Sequence, residues 1–236
     1  MSALLIVSDI HAYYGRAHIL HGVSFAMALG EVVALVGRNG AGKSTTMKAI
    51  MGLVPPAKGQ VTFDGRIIAG REPFEIARLG LGYVPEERRV FSDLTVMENL
   101  TVGERPARAD APRWTPDALF ELFPNLGRMK DRPGGQMSGG EQQMLTIART
   151  LMGNPKLVLL DEPSEGLAPV IIEEMAKAIL RLKSEGLTVL ISEQNLHFAR
   201  LVATRALVME KGLIRFDGAM ETLMSDATIR ERYLAV

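Results

Sequence analysis

Apolar positions fall into two kinds of run along this chain. Residues 31–36 and 157–160 are short and almost continuously apolar, the pattern of strands buried on both faces of a parallel sheet. Residues 4–7, 23–28, 60–63, 81–84, 188–192 and 205–210 also read as strands. Gly15 and Gly22 mark turns between the first two, and Asp64-Gly65 is a strong hairpin-turn signal. Helices are predicted over residues 43–51, stopped by Gly52 and Pro55-Pro56, over 170–184, and as a short terminal turn over 228–233. Residues 103–114 are rich in proline, alanine and arginine without an apolar period, so they read as a surface connection that includes Trp114. Helical patches at 96–100, 116–123 and 139–153 flank it, making residues 87–152 a mostly helical insertion. Alternating strands and helices predict an α/β fold with a mostly parallel sheet.

Three segments carry candidate chemistry. Gly37-Arg38-Asn39-Gly40-Ala41-Gly42-Lys43-Ser44 has the phosphate-loop pattern between a buried strand and a helix. Its glycines let several N–H groups face one anion, and the helix N-terminus adds positive partial charge. Lys43 then reaches the β- and γ-phosphates, and Ser44 holds Mg²⁺; Thr45 completes the ATP-binding loop. The second segment is Asp161-Glu162, directly after the apolar run 157–160. Ligands of open α/β sheets sit at the carboxyl ends of strands. If this strand neighbours the one before the phosphate loop, Asp161 serves Mg²⁺ and Glu162 polarises the attacking water. The third is Met137-Ser138-Gly139-Gly140-Glu141-Gln142-Gln143. Taken alone it reads as a serine N-cap with Glu141 completing a capping box, although its bare N–H groups also suit an anion.

Composition narrows the field. The 236 residues are 47% apolar, enough for a large core, and Lys+Arg equals Asp+Glu at 27 each, without the basic surplus usual in nucleic-acid binders. With no cysteine, disulfides, thiolate metal sites and cysteine nucleophiles are excluded, and a reducing compartment fits. Residues 1–7 lack a basic leader region and no apolar run approaches the about 20 residues of a membrane span, so a membrane role is expected to be peripheral. His11, His18 and His21 lack supported metal-ligand spacing and read as surface residues, and His197 reads as a surface or packing residue.

The order and spacing of these segments resemble the ATP-binding subunits of ABC transporters, and the likeness runs from the first strand to about residue 221. The resemblance implies one ABC ATPase domain over 1–236, with an N-terminal antiparallel β subdomain, a nucleotide-binding core at about 1–86 and 153–236, and the helical subdomain at about 87–152. It implies that Ser138, Gly139, Gly140 and Glu141 are the signature that caps ATP on a partner subunit, so that two chains sandwich two ATP molecules. It places Tyr14 on the adenine ring, Glu86 near Mg²⁺ in a loop facing the membrane subunit, residues 164–168 across the dimer interface, and Gln194 near the γ-phosphate.

Three positions depart from the family's common pattern. Glu86 stands where glutamine is usual, Gln194 where histidine is usual, and Glu165-Gly166-Leu167-Ala168 replaces Ser-Ala-Leu-Asp. Glutamine can bond a phosphate oxygen but cannot become cationic. Together with Arg88-Arg89-Val90-Phe91 and Glu193-Gln194-Asn195, these positions resemble the smaller ATPase subunit of branched-chain amino acid importers. That likeness implies ATP and Mg²⁺ as ligands and a second ABC ATPase as partner, a homodimer being possible in isolation. It also implies two membrane-spanning permease subunits, an extracytoplasmic amino-acid-binding protein acting indirectly, no nucleic acid, and a peripheral place on the cytoplasmic face of the inner membrane. Urea and amide importers, and an ATP-binding half-site with little hydrolysis of its own, remain alternatives.

Overall fold

In the computed structural model, which describes residues 3–233, the chain begins with β1 (Ala3–Tyr14), β2 (Ala17–Ala28), β3 (Val32–Val36), α1 (Lys43–Ile50), β4 (Lys58–Phe63) and β5 (Arg66–Ile67). Next come α2 (Pro73–Leu79), β6 (Leu81–Val84), α3 (Val96–Gly103), α4 (Pro116–Leu122), α5 (Pro124–Gly127) and α6 (Gly139–Leu151). The chain continues with β7 (Leu157–Asp161), α7 (Pro169–Ser184), β8 (Thr188–Glu193), α8 (Leu196–Val202), β9 (Arg205–Glu210), β10 (Leu213–Ala219), α9 (Met220–Ser225) and α10 (Ala227–Tyr233). The expected termini, residues 1–2 and 234–236, lie outside the described residues. Two sheets result: antiparallel β2-β1-β4-β5, and β10-β9-β3-β8-β7-β6, which is parallel from β9 to β6.

The continuous apolar runs have a simple cause. Successive side chains of β3 point to opposite faces, and both faces are covered. Val32, Ala34 and Val36 join Val158, Leu160 and Ile191 in a layer with α6, α7 and α8. Val33 and Leu35 join Leu159 and Leu190 in a second layer with α1 and the antiparallel sheet, including Leu5, Val7 and Phe63. Among the described residues no helix is long and apolar enough to cross a membrane.

Several elements differ from their sequence readings. β1 and β2 are 12 residues each, much longer than residues 4–7 and 23–28. The cause is a bulge: the register shifts between Val7 and Ile10, with Asp9 at φ 50° and Gly22 at φ 94°. This breaks the alternation that announces a strand. Gly22 therefore lies inside β2 and is not a turn; a Cβ there would stand 2.7 Å from Asp9 Oδ1. The three N-terminal histidines lie at the surface, His21 exposed and His11 and His18 half-buried, but they cluster. On this ribbon Tyr13 and His18 stack at 4.2 Å between centroids, His18 and His21 lie 3.9 Å apart, and His11 Nδ1 is 3.1 Å from His18 Nε2. Short elements with no readable period (β5, α2, α5, α8, β10 and α9) had no sequence reading of their own.

Trp114 is buried, not at the surface. Its backbone N–H donates to Asn154 Oδ1 at 2.7 Å, and Asn154 Nδ2 donates to Arg105 O at 2.8 Å. Asn154, itself buried and at φ 49°, thus pins both halves of the connection to the turn after α6. Asn154→Gly keeps the backbone shape but strands these two groups. It is expected to lower unfolding free energy by about 2 kcal/mol in urea titration, with little change if the two bonds do not hold the connection.

Glu193, the last residue of β8, is 2% exposed, and burial pushes its carboxyl from the ordinary 4.5 up to about 7. The folded chain then binds this proton more tightly than the unfolded chain. The contribution to stability is full below about 4.5 and is lost as pH rises through about 7. Relative to wild type, non-titrating Glu193→Gln is expected to gain about 1 kcal/mol between pH 6 and pH 8 in paired urea titrations. A difference independent of pH would contradict this.

Candidate ATP site

Parallel pairing decides where the functional side chains gather. Val36 lies opposite Glu193, and Asp161 opposite Ser192, so the loops after β3, β7 and β8 leave one edge of the sheet together. The loop after β3 closes tightly. A Cβ on Gly37 would collide with the Met209 carbonyl, and Gly42 caps α1 at φ 110° without a side-chain hydrogen bond. Those two positions require glycine, and the first-turn N–H groups of α1 are left for an anion.

Lys43 folds back beneath this loop. Its Nζ donates to Gly37 O at 2.9 Å and Arg38 O at 3.3 Å, and pairs with Glu162 Oε1 at 3.0 Å. Gln194 Nε2 donates to the other oxygen of Glu162 at 2.5 Å. Glu162 itself has φ 46°, a sparsely populated conformation for a side chain of this kind. Ser192 holds it there: the Glu162 N–H lies 3.1 Å from both Ser192 O and Ser192 Oγ.

Asp161 accepts from Ser44 Oγ at 3.0 Å, Ser192 Oγ at 2.6 Å and Tyr83 OH at 3.1 Å. Burial, and then the neighbouring Asp161, push the Tyr83 phenol well above its usual range. Among the described residues no group of three or more His, Cys, Asp or Glu is arranged to hold a metal ion. The adjacent oxygens of Ser44 and Asp161 nonetheless suit Mg²⁺, which takes few protein ligands and completes its shell with phosphate and water.

A depression of about 350 Å³ is lined by Tyr14, Ile19, Asn39, Gly40, Gly42, Lys43, Ser44, Thr45, Glu86, Glu162 and Glu165. Gly37, Arg38 and Ala41 shape the loop without lining it, Asp161 lies behind Ser44, and Gln194 lies beside Glu162. Burial, then Glu162 and Glu86, hold the Glu165 carboxyl above its usual range. A larger groove of about 570 Å³, lined in part by Met51, Leu53, Phe74, Phe91 and Val102, contains no residue of the 37–45 loop. Volume does not mark the site; converging polar groups do.

Ser138, Gly139, Gly140 and Glu141 are not brought into the depression. They start α6 with the capping box expected from the sequence: Ser138 N–H to Glu141 Oε2 at 2.7 Å, and Glu141 N–H to Ser138 Oγ at 3.4 Å. The Arg88 guanidinium lies against Gly139 and donates to Glu165 O at 3.0 Å. Sequence reasoning missed Ile19, and it gave Tyr83, Glu165, Ser192 and Glu193 only as members of the loops around Glu86, residues 164–168 and Gln194, with no role of their own. For Glu193 a signal existed, an acid closing an apolar run just as Asp161 does. Its Oε1 accepts from Ser164 N–H at 3.1 Å, its Oε2 from Asn195 N–H at 3.3 Å, and its carbonyl from Gly37 N–H at 3.4 Å.

A family model described as ABC transporter matches residues 20–165. The chain is 43% identical to the high-affinity branched-chain amino acid transport ATP-binding protein BraG of Pseudomonas aeruginosa, across 98% of this chain and 99% of that protein. It is 35% identical to the lipopolysaccharide export system ATP-binding protein LptB of Haemophilus influenzae, across 98% of this chain and 97% of that protein. The solved ADP conformation of MJ1267, an ATP-binding cassette of an ABC transporter, is similar with a TM-score of 0.83 at 30% identity, covering 98% of both chains. With its phosphate loop and Glu162 lining one depression and Asp161 behind Ser44, the chain belongs to the ABC transporter family as an ATP-binding subunit, and the general activity of such subunits is ATP hydrolysis coupled to transport.

Proposed function

We propose that this subunit powers an importer of branched-chain amino acids from the cytoplasmic face of the inner membrane. The observation that carries the cargo is the 43% identity to BraG over nearly the whole of both chains. A second reading, lipopolysaccharide export, is favoured only by the 35% identity to LptB. Cargo does not touch an ATPase subunit, so no residue of the site argues for either.

In the proposed cycle Tyr14 stacks on adenine and the 37–45 loop takes the phosphates. Lys43 passes from the Glu162 carboxylate to the β- and γ-phosphates. Ser44 and Asp161, with Glu86 nearby, would hold Mg²⁺, which would neutralise phosphate charge. Glu162, released from Lys43, orients the attacking water, and Gln194 holds the far side of its carboxylate. The signature residues Ser138, Gly139, Gly140 and Glu141 serve the ATP of a second ABC ATPase subunit; their position outside this chain's own depression supports that role. ATP then binds the closed pair better than the open one, which is what moves the equilibrium. The helical segment 87–152 moves as a subdomain of the single domain and pulls two permease subunits through loop 84–91. Pro85, Arg89 and Phe91 of that loop line the large apolar groove. A binding protein outside the membrane delivers the amino acid.

Lys43→Ala is expected to abolish ATP binding in a fluorescent-nucleotide titration. Glu162→Gln is expected to keep binding, to slow hydrolysis by about a hundredfold or more, and to accumulate as an ATP-bound pair in gel filtration. Hydrolysis by Glu162→Gln at the wild-type rate would remove Glu162 from the mechanism. For the cargo, the membrane complex reconstituted with its binding protein is expected to hydrolyse ATP faster with leucine, isoleucine or valine. Stimulation by urea alone, or by lipopolysaccharide alone, would overturn the assignment.

A further inference from the structure

We propose that Glu193 is a positioning residue that fastens the loop after the acidic pair to the loop carrying Gln194. Of the three buried strands that lead into the site, β3 closes on apolar Val36, whereas β7 and β8 close on the acids Asp161 and Glu193. A carboxylate at 2% exposure is costly unless its oxygens find donors. Those donors are backbone N–H groups from two different loops, Ser164 on Oε1 and Asn195 on Oε2. The same residue's carbonyl receives Gly37 N–H from the start of the phosphate loop. One residue therefore touches all three loops at the site without lining the depression.

The consequence falls on Glu162 and Gln194. Ser164 follows Glu162 by two positions, and Asn195 follows Gln194 directly. The 2.5 Å contact between Glu162 Oε2 and Gln194 Nε2 spans these loops, and the Glu193 side chain fixes their separation. Hydrogen bonds to an ionised acceptor are roughly twice as strong as neutral ones, so a charged clasp resists the loops drifting apart. This inference rests on the proposed roles of Glu162 and Gln194.

The test uses the full chain assembled with its membrane partners, at pH 8, above the value of about 7 to which burial pushes Glu193. Glu193→Gln keeps the size of the side chain but offers one acceptor and one donor to two N–H groups. Its kcat is expected to fall about tenfold, while KM for ATP and the affinity for a fluorescent ATP analogue stay within about twofold. Glu193→Asp, which keeps both acceptor oxygens but is one methylene too short to reach both N–H groups, should show the same split at smaller amplitude, and it carries the test if Glu193→Gln does not fold. A kcat within about twofold of wild type for both variants overturns the proposal. So does a joint decline of kcat, ATP affinity and melting temperature, which is the mark of a merely structural role. Glu162→Gln is measured alongside. If it hydrolyses normally, the site reading fails and this inference with it; if it is inactive while Glu193→Gln matches wild type, this inference alone fails.

Discussion

Lys43 and Glu162 face each other at 3.0 Å with side chains only 3% and 7% exposed. Charges so far from water carry a desolvation cost of several kcal/mol each, and removing one partner leaves the other uncompensated. The pair is tolerable because the Gly37 and Arg38 carbonyls and Gln194 satisfy the remaining donors and acceptors. Much of the surrounding structure serves this arrangement. The glycines permit the curl of the loop, and Ser192 holds the backbone of Glu162. On the proposed reading, nucleotide enters by competing with a resident anion for a buried cation, so binding and the freeing of Glu162 are one event.

Register gives this pair its neighbours. In a parallel sheet every strand delivers its carboxyl end to the same edge, and β3, β8 and β7 deliver Val36, Glu193 and Asp161 there. A slip of one residue would turn each side chain to the opposite face. Two apolar layers, one on either side of the sheet, oppose such a slip because every core residue of the strand would have to move. Packing far from the nucleotide thus sets the distance between Ser44 and Asp161.

The phosphate loop was legible because its chemistry is local: glycine spacing states a backbone shape, and the flanking strand and helix have clear periods. Asp161-Glu162 was legible for a related reason, the abrupt end of an apolar run. The long ribbon β1–β2 was not, because the bulge at Asp9 and Gly22 resets the alternation midway. Trp114 was misplaced because one aromatic residue in a polar stretch has no period, and its burial depends on Asn154 forty positions later. The partners of Glu193 are N–H groups, which no side-chain pattern reports. Glu165 reaches the depression only because the loop after β7 turns back towards Glu86 and Glu162.

At residue 162 the backbone and the side chain make opposite demands. A φ of 46° is terrain that asparagine, aspartate and glycine occupy at lower cost than glutamate does. None of the three can extend a carboxylate as far as Lys43. Genetic drift at this codon is hemmed in from both sides: replacements that relax the main chain strand a buried cation, and a long replacement of the right length inherits the tension. On the proposed role of Glu162, a lineage that abandoned catalysis would be expected to record the loss here early, as a shorter residue settling into the left-handed turn.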